Sequence, residues 1–307
     1  MASGATLRPA SLGELCELFA GASAAQRPLR LMSQSTWLSG GAPVSAQATP
    51  VQLGSFSGIV EYEPGDLTIT VGAATTIAEL DAATAAHAQW CPLAPWGGDE
   101  GTVGATIATA TAGPYAHALG LPRDLVLGLE CVDGTGAVLR PGGKVVKNVA
   151  GFDLVRLITG SWGSLAAITR VSLRLRARPA ADESWRLDVA PGTAPAVQRA
   201  LRQCATPPVA CELLILPANE ATGHAEGPTS RLLVRIAGNT AYVNAARDAV
   251  QRAGRAEQVD PSAWLQLRRD AVAPTPPAPS SDAVRALNAG VKQAFDPANI
   301  LNPGIMG

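Results

Sequence analysis

The sequence predicts an α+β fold: a larger first domain, a small α+β second domain and a C-terminal helix that returns to the first. Three observations predict it. Before Pro179, period-two strand patterns are interleaved with capped helices. After Pro179 the texture changes to a compact β-α-β-β-α order. The stretch "APTPPAPSSD", residues 273 to 282, then reads as an extended linker ahead of a last helix. The expected boundaries are therefore 1–179, 180–272 and 273–307.

"SLGELCELFAGASAAQ" opens a helix, with Ser11 and Glu14 at capping-box spacing and Leu12, Leu15, Leu18 and Phe19 on one face. "PLRLM" is a short strand, followed by the polar loop "SQSTWLSGGAP". "GIVEYEPGDLTITVGAATTIAELDAATAAHA" reads as strand, Pro-Gly turn, strand and helix, with Thr76 and Glu79 as a second capping box. Residues 91–114 are mostly small residues and glycine. "DLVLGLECVDGTGAVLRPGG" is a hairpin around Asp-Gly-Thr-Gly, "FDLVRLI" a short helix, and "LAAITRVSLRLRARP" a long strand. In the second domain come a strand at "SWRLDVA", a helix near 195–204, strands at "VACELLILP" and "RLLVRIAG", and a helix near 241–253. "DAVRALNAGVKQAF" is the last helix, and "DPANILNPG" is a set of turns packing back on the first domain.

Composition excludes several classes. Of 307 residues 47% are hydrophobic and 16% charged, a globular balance, and the net charge of −1 leaves no electrostatic footprint for nucleic acid or an anionic membrane. No window approaches the length of a membrane-spanning helix, and "MASGATLRPASLGEL" holds no signal-peptide run, so a cytoplasmic location is expected, with any membrane association made through partner subunits. The five cysteines, Cys16, Cys91, Cys131, Cys204 and Cys211, show no C-x-x-C spacing, which argues against an iron–sulfur cluster, structural zinc or disulfide framework in this chain. No metal site is expected.

Three loops rich in glycine or other small residues remain: "SQSTWLSGG", residues 95–114, and "GGKVVKNVAGFDLVRLITGSWGSL". Phosphate-bearing ligands need close approach of backbone N–H groups, which small residues permit. Tight turns and close helix packing would produce the same glycine density. There is neither a G-x-G-x-x-G nor a Walker motif.

The stretch "GGKVVKNVAGFDLVRLITGSWGSLAAITRVSLRLRARP" resembles the vanillyl-alcohol-oxidase, or PCMH-type, FAD-binding family. More narrowly it resembles the FAD-binding subunits of bacterial glycolate oxidases. "EPGDLTITVGAATTIAELDAA", "PWGGDEGTVGATIA", "LPRDLVLGLECVDGTGAVLR" and "FDPANILNPG" extend the likeness over nearly the whole chain. It implies a PCMH-type FAD-binding domain over 1–179, with FAD between two subdomains and its pyrophosphate against the first two loops. It places Ser33, Gln34, Ser35 and Thr36 in the first loop, and Gly101, Thr102, Gly104, Ala105, Ala108 and Gly113 in the second. Asn148, Ala150, Gly151 and Asp153 fall in the third, with Ala166 to Ile168 on the adenine side. This sequence departs from the family where Ser33, Gln34 and Ser35 replace consecutive glycines, where Trp37 replaces a basic residue, and where Ala105 and Ala110 replace frequent glycines. Cβ atoms there push the loop off the pyrophosphate or demand an unfavourable φ, unless the hydroxyls bind phosphate instead.

Oxidation of a 2-hydroxy acid requires a base near the flavin and a cation for the carboxylate. The chain has only His87, His117 and His224. His87 and His224 read as surface residues, and His117, in "GPYAHALG", is the one nearer the predicted flavin loops. No histidine suits covalent flavin attachment, so non-covalent FAD is expected. Lys144 and Lys147 read as a solvated pair or as charge near the flavin, Asp124 and Asp153 as caps or cofactor contacts, and Trp90 and Trp96 as core. Arg231, Arg235 and Arg268 are the candidate cations. No catalytic residue is assigned. The expected role is an FAD-binding subunit of a glycolate-oxidase-like complex acting on glycolate or D-lactate. A sister FAD subunit would carry the main oxidation and an iron–sulfur subunit would take the electrons. A self-sufficient FAD dehydrogenase and a scaffold subunit with a degenerate FAD site stand as alternatives.

Overall fold

In the computed structural model, residues 5–36, 40–143, 153–190, 192–214 and 230–306 are described. The chain divides into two compact units: residues 1–112, 121–177 and 272–307 form the first, and residues 113–120 and 178–271 the second. The excursion Gly113–Gly120, which the sequence reading kept in the first domain, belongs to the second unit.

The first unit opens with α1 (Leu12–Ala24). Ser11 Oγ accepts the Glu14 N–H, while the Glu14 carboxylate reaches back to the N–H of Ala10. Leu15, Phe19 and Ala22 are its buried face. Strands β1 (Leu29–Met32) and β2 (Thr49–Gln52) pair in parallel, and α1 packs with them against Val132, Ala167, Ile300 and Leu301. Then follow β3 (Ile59–Glu63), β4 (Thr68–Gly72), α2 (Ile77–Ala85), β5 (Gln89–Trp90) and α3 (Val103–Thr109). The Thr76–Glu79 capping box at the start of α2 is complete. After α4 (Ala116–Leu119), which lies in the second unit, come α5 (Pro122–Leu125), β6 (Val126–Asp133), β7 (Val138–Leu139), α6 (Leu154–Ile158), β8 (Ala166–Arg174) and β9 (Arg176–Ala177).

Strands β3-β4-β8-β6-β7 form one antiparallel sheet, and β5 pairs with β9. The β6–β7 turn is fixed by Asp133, whose Oδ1 accepts from the N–H groups of Thr135 and Ala137 and from the Thr135 hydroxyl. Burying the Ile69, Val71, Leu129, Val171 and Leu173 face against α2, α3 and α6 makes the main core, at about 1.5–3 kcal/mol for each fully buried side chain.

The second unit is built from β10 (Ala181–Val189), α7 (Ala194–Gln203), β11 (Ala210–Leu214), β12 (Ser230–Gly238), α8 (Thr240–Ala253), β13 (Arg255–Val259) and α9 (Ser262–Arg269). The sheet order β11-β12-β10-β13 is antiparallel throughout, which completes a β-α-β-β-α-β motif. The odd residues Trp185, Leu187 and Val189 meet α7 and α8 with Leu232, Val234 and Ile236. The even residues make the other face, where charges pair across strands: Arg231 with Asp188, Arg235 with Asp182, and Arg186 with Glu257.

The last helix, α10 (Asp282–Phe295), belongs to the first unit and ends in a buried knot. The Asp296 carboxylate accepts the N–H groups of Ile300 (3.0 Å) and Leu301 (2.7 Å), while Lys292 Nζ donates to Asp296 (2.5 Å), to the Leu301 carbonyl (2.9 Å) and to the Ser164 carbonyl (2.7 Å). Burial pulls the Lys292 ammonium below its usual value, against the opposing pull of Asp296. Among the described residues no helix is long and apolar enough to cross a membrane, and no group of three metal-ligating side chains gathers.

Candidate functional site

A cavity opens in the first unit between the end of β1, α3 and the start of β8. It encloses about 1000 Å³ of space, part of it open to solvent, at the upper end of the range for small-molecule sites. Its wall brings together Ser33, Gln34, Ser35, Thr36, Thr102, Gly104, Ala105, Ala108, Ala166 and Ile168. Of the other residues implicated from sequence, Gly101 is off the wall, its N–H bonded to Gly98 and its carbonyl to Ile77. Gly113 sits in the second unit. Asp153 caps α6, accepting the Arg156 N–H and pairing with its guanidinium. Asp124 is likewise a cap, accepting the Leu121 N–H. Trp37, Lys144, Lys147, Asn148, Ala150, Gly151 and His224 lie outside the described residues.

The two loops contribute different chemistry. In the second, the first amides of α3 are already committed: Val103 N–H to the Thr75 carbonyl (2.9 Å), Gly104 N–H to Ala73 (2.7 Å) and Ala105 N–H to Thr102 Oγ1 (3.3 Å). Gly104 is bare because a Cβ there would stand 2.6 Å from Ala73 Cβ and 2.8 Å from its carbonyl oxygen. Its reason is helix-to-strand packing. In the first loop, the N–H groups of Gln34, Ser35 and Thr36 have no acceptor among the described residues, and the buried Ser33 hydroxyl has no partner. Ser35 takes φ +62°, the left-handed backbone for which a glycine was expected. A left-handed residue in a run of uncommitted amides is the ingredient of an anion-binding concavity. An orphaned buried hydroxyl costs about 1–3 kcal/mol until an acceptor or donor meets it. These groups fit the diphosphate of FAD, and the apolar wall of Ala105, Ala108, Ala166 and Ile168 fits a flat ring system.

Sequence reasoning missed two walls. Asn302 was read only as part of a turn set, yet its Oδ1 accepts the Leu31 N–H (2.8 Å) and its Nδ2 donates to the Trp162 carbonyl (2.8 Å), tying β1 to the turn before β8. Trp162 lines the cavity with φ +57°, between Gly160 at +85° and Gly163 at +67°. The signal for both lay in their neighbours: Asn-Pro-Gly after Leu301, and a tryptophan between two glycines. Arg30 is the only charged side chain among the described residues on the wall, and no His or Cys stands there. Burial pushes the thiols of Cys91, Cys131 and Cys211 up to about 12, which keeps them protonated and inert.

The candidate cations are engaged in the second unit. Arg231 Nε pairs with Asp188 at 2.9 Å, and Arg235 pairs with Asp182 and stands 4.7 Å over the Tyr115 ring. Arg268 is buried in α9.

Comparison with known proteins agrees with this geometry. Residues 4–142 match the family model described as FAD binding domain. The glycolate oxidase subunit GlcE of Escherichia coli is 34% identical over 229 residues, 74% of this chain and 60% of that protein. A D-lactate dehydrogenase of Archaeoglobus fulgidus is 32% identical over 169 residues, 55% of this chain and 38% of that protein. The glycolate oxidase subunit GlcD of Bacillus subtilis is 29% identical over 175 residues, 57% of this chain and 37% of that protein. The chain thus spans from about two fifths to three fifths of the length of these relatives. Solved alkyldihydroxyacetonephosphate synthase shares the fold, with a TM-score of 0.70 at 16% identity over 86% of this chain and 53% of that one. The match over residues 4–142 takes in the first two loops of the cavity, with the unpaired first-loop amides, so this part of the chain is similar to FAD-binding domains.

Proposed function

We propose that this chain is an FAD-binding subunit of a glycolate-oxidase-like complex, acting on a small 2-hydroxy acid such as glycolate or D-lactate. The carrying observation is the first loop, where uncommitted amides and the orphaned Ser33 hydroxyl face the cavity. Ser33, Gln34, Ser35 and Thr36 would hold the diphosphate through N–H and O–H donors. Ala105, Ala108, Ala166 and Ile168 would exclude water from the rings. The chemistry supplied by FAD when bound is two-electron acceptance. The attachment is non-covalent, a reading supported by the absence of His and Cys among the described residues of the wall.

The main oxidation of substrate is assigned to a sister FAD subunit, with an iron–sulfur subunit receiving the electrons. Two features support this division. Arg231 and Arg235 are neutralised by Asp188 and Asp182, and so are poorly placed to clamp a substrate carboxylate. The GlcE and GlcD relatives are themselves named as subunits of glycolate oxidases. Location in the cytoplasm, with membrane association through partners, follows from the same assignment.

The test has two parts. The purified chain should show flavin absorbance, and acid precipitation should release all of it to the supernatant. Its turnover of glycolate or D-lactate with an artificial acceptor should stay at background and rise when the sister subunit is added. A colourless chain that takes up no FAD refutes the cofactor assignment. Turnover by the chain alone above about 1 s⁻¹, within the ordinary enzyme range, refutes the division of labour.

A further inference from the structure

One part of the cavity wall is closed by a segment from a distant part of the sequence. Asn302 and Ile305 line the cavity there, together with Gly40 and Val44 of the loop that follows β1. The attachment of this segment changes abruptly at Asn302. Up to that residue it is tied down: the Leu29 N–H donates to the Ile300 carbonyl (2.7 Å), the Asn302 N–H donates to the Leu29 carbonyl (2.9 Å), and the Asn302 side chain bridges Leu31 and Trp162. Beyond it, two backbone bonds arrive from the loop: Ala42 N–H to the Ile305 carbonyl (3.0 Å) and Ser45 N–H to the Pro303 carbonyl (3.2 Å). The Ile305 side chain is seated on the bare backbone of Gly41, where a Cβ would stand 2.7 Å from Cδ1 and 3.1 Å from Cγ1. Between root and seat lies Gly304, exposed and at φ +92°. Glycine absorbs a large change of φ and ψ at low cost, which suits it to a hinge. A firm root, a glycine in the middle and few bonds at the end make a segment that opens locally while its surroundings stay folded.

We propose that residues 303–305 are a latch on the cavity: Ile305 seated on Gly41 closes the wall, and its release by rotation at Gly304 opens a path for the flavin nucleotide to enter and leave. The proposal rests on the FAD reading above and adds to it the step that controls exchange of the cofactor. Asn302 stays bonded throughout, so β1 and the first-loop amides keep their positions while the latch moves. Binding that requires such an opening forms more slowly than docking into an open site. Loosening the latch therefore speeds association as well as dissociation, whereas loss of a mere wall contact speeds dissociation alone.

The test takes two readouts on the full chain. In amide hydrogen exchange without FAD, the Ala42 and Ser45 amides should exchange about 10-fold or more faster than those of Leu29, Leu31 and Asn302, and saturating FAD should slow them. Equal protection of all five in the FAD-free chain overturns the proposal. Stopped-flow measurement of FAD fluorescence is the second readout. Ile305→Ala removes the seated side chain, and Gly41→Ala unseats it without altering a wall residue. Each should raise the association rate constant about 10-fold, and the double variant should be no faster than the quicker single one, because both act on one latch. Ile305→Ala carries this readout alone if Gly41→Ala, strained at φ +77°, does not fold. Association at the parent rate with dissociation alone made faster overturns the proposal and leaves the FAD reading intact. A parent chain with no FAD affinity overturns the FAD reading, and the latch as a gate for FAD with it.

Discussion

Ala105 and Ala110 lie inside and at the end of α3, and the structure predicts opposite outcomes on replacing each with glycine. Ala110 closes α3 at φ 51°, ψ 29°, in the left-handed region, with its Cβ exposed. An L-residue there costs about 1–2 kcal/mol. Glycine removes that cost but adds about 0.4–1 kcal/mol of unfolded-state entropy. No buried surface is lost, so Ala110→Gly should stabilise by about 0.5–1 kcal/mol. At the entropy of a unit of roughly 200 residues this is about 1–4 °C in Tm. Ala105 lies within α3, in helical backbone and half-buried. Glycine there relieves nothing and should destabilise by about 0.5–1 kcal/mol. Thermal unfolding of the two variants, followed by circular dichroism and repeated in urea, measures both signs. A lowered Tm for Ala110→Gly, or a raised one for Ala105→Gly, would refute the assignment of strain to the end of α3.

Three further outcomes follow from the geometry. Gly104→Ala places a Cβ against Ala73, so α3 must shift and its N–H bond to the Ala73 carbonyl weakens; a loss of about 1–3 kcal/mol in urea unfolding is expected, with weaker FAD retention. Asp296→Ala strands Lys292 and frees the N–H groups of Ile300 and Leu301, and should cost about 3–5 kcal/mol, measured the same way. The third concerns pH. The hydrogen bond from Arg247, helped by the Trp185 indole, holds the Glu183 carboxyl below its ordinary value of 4.5. A carboxyl lowered on folding contributes stability above its unfolded value and loses it as pH falls through the folded one. The stability difference between the parent and Glu183→Gln should therefore be full above pH 4.5 and close below it.

Local signals made much of the fold legible. Ser11 and Thr76 announced α1 and α2 because an N-cap is a matter of three or four adjacent residues. Val126–Asp133 announced its hairpin because the turn chemistry sits in sequence beside the strand. Arg255–Val259 gave no such sign: it is a polar edge strand, defined only by its pairing with β10. The parallel pairing of β1 with β2 was equally invisible, since the partners share no turn.

In the site, composition marked the small-residue loop that holds Ser33–Thr36, and the resemblance supplied the prospect of an unfavourable φ, which Ser35 adopts. Which amides remain free was not readable, because it depends on whether Ala73 and Thr75 reach the second loop first. Gly104 is the instructive case: the same bare backbone serves a helix packed on a strand as well as a ligand. Asn302 and Trp162 escaped because their role is a bond between segments far apart in sequence.

That distance has a consequence for how the protein is made. Leu31 and Asn302 meet across 271 positions, and the Lys292–Asp296 knot fixes the segment that carries Asn302. At about 5–20 residues added per second, the ribosome needs roughly 15–55 s between the first wall and the last. Throughout that interval the amides of Gln34 to Thr36 exist without the side chain that later clamps β1. For FAD held in this cavity, a nascent chain that stops short of Asn302 offers an incomplete wall, and the expected order is that the segment carrying Asn302 is made before the cofactor is held.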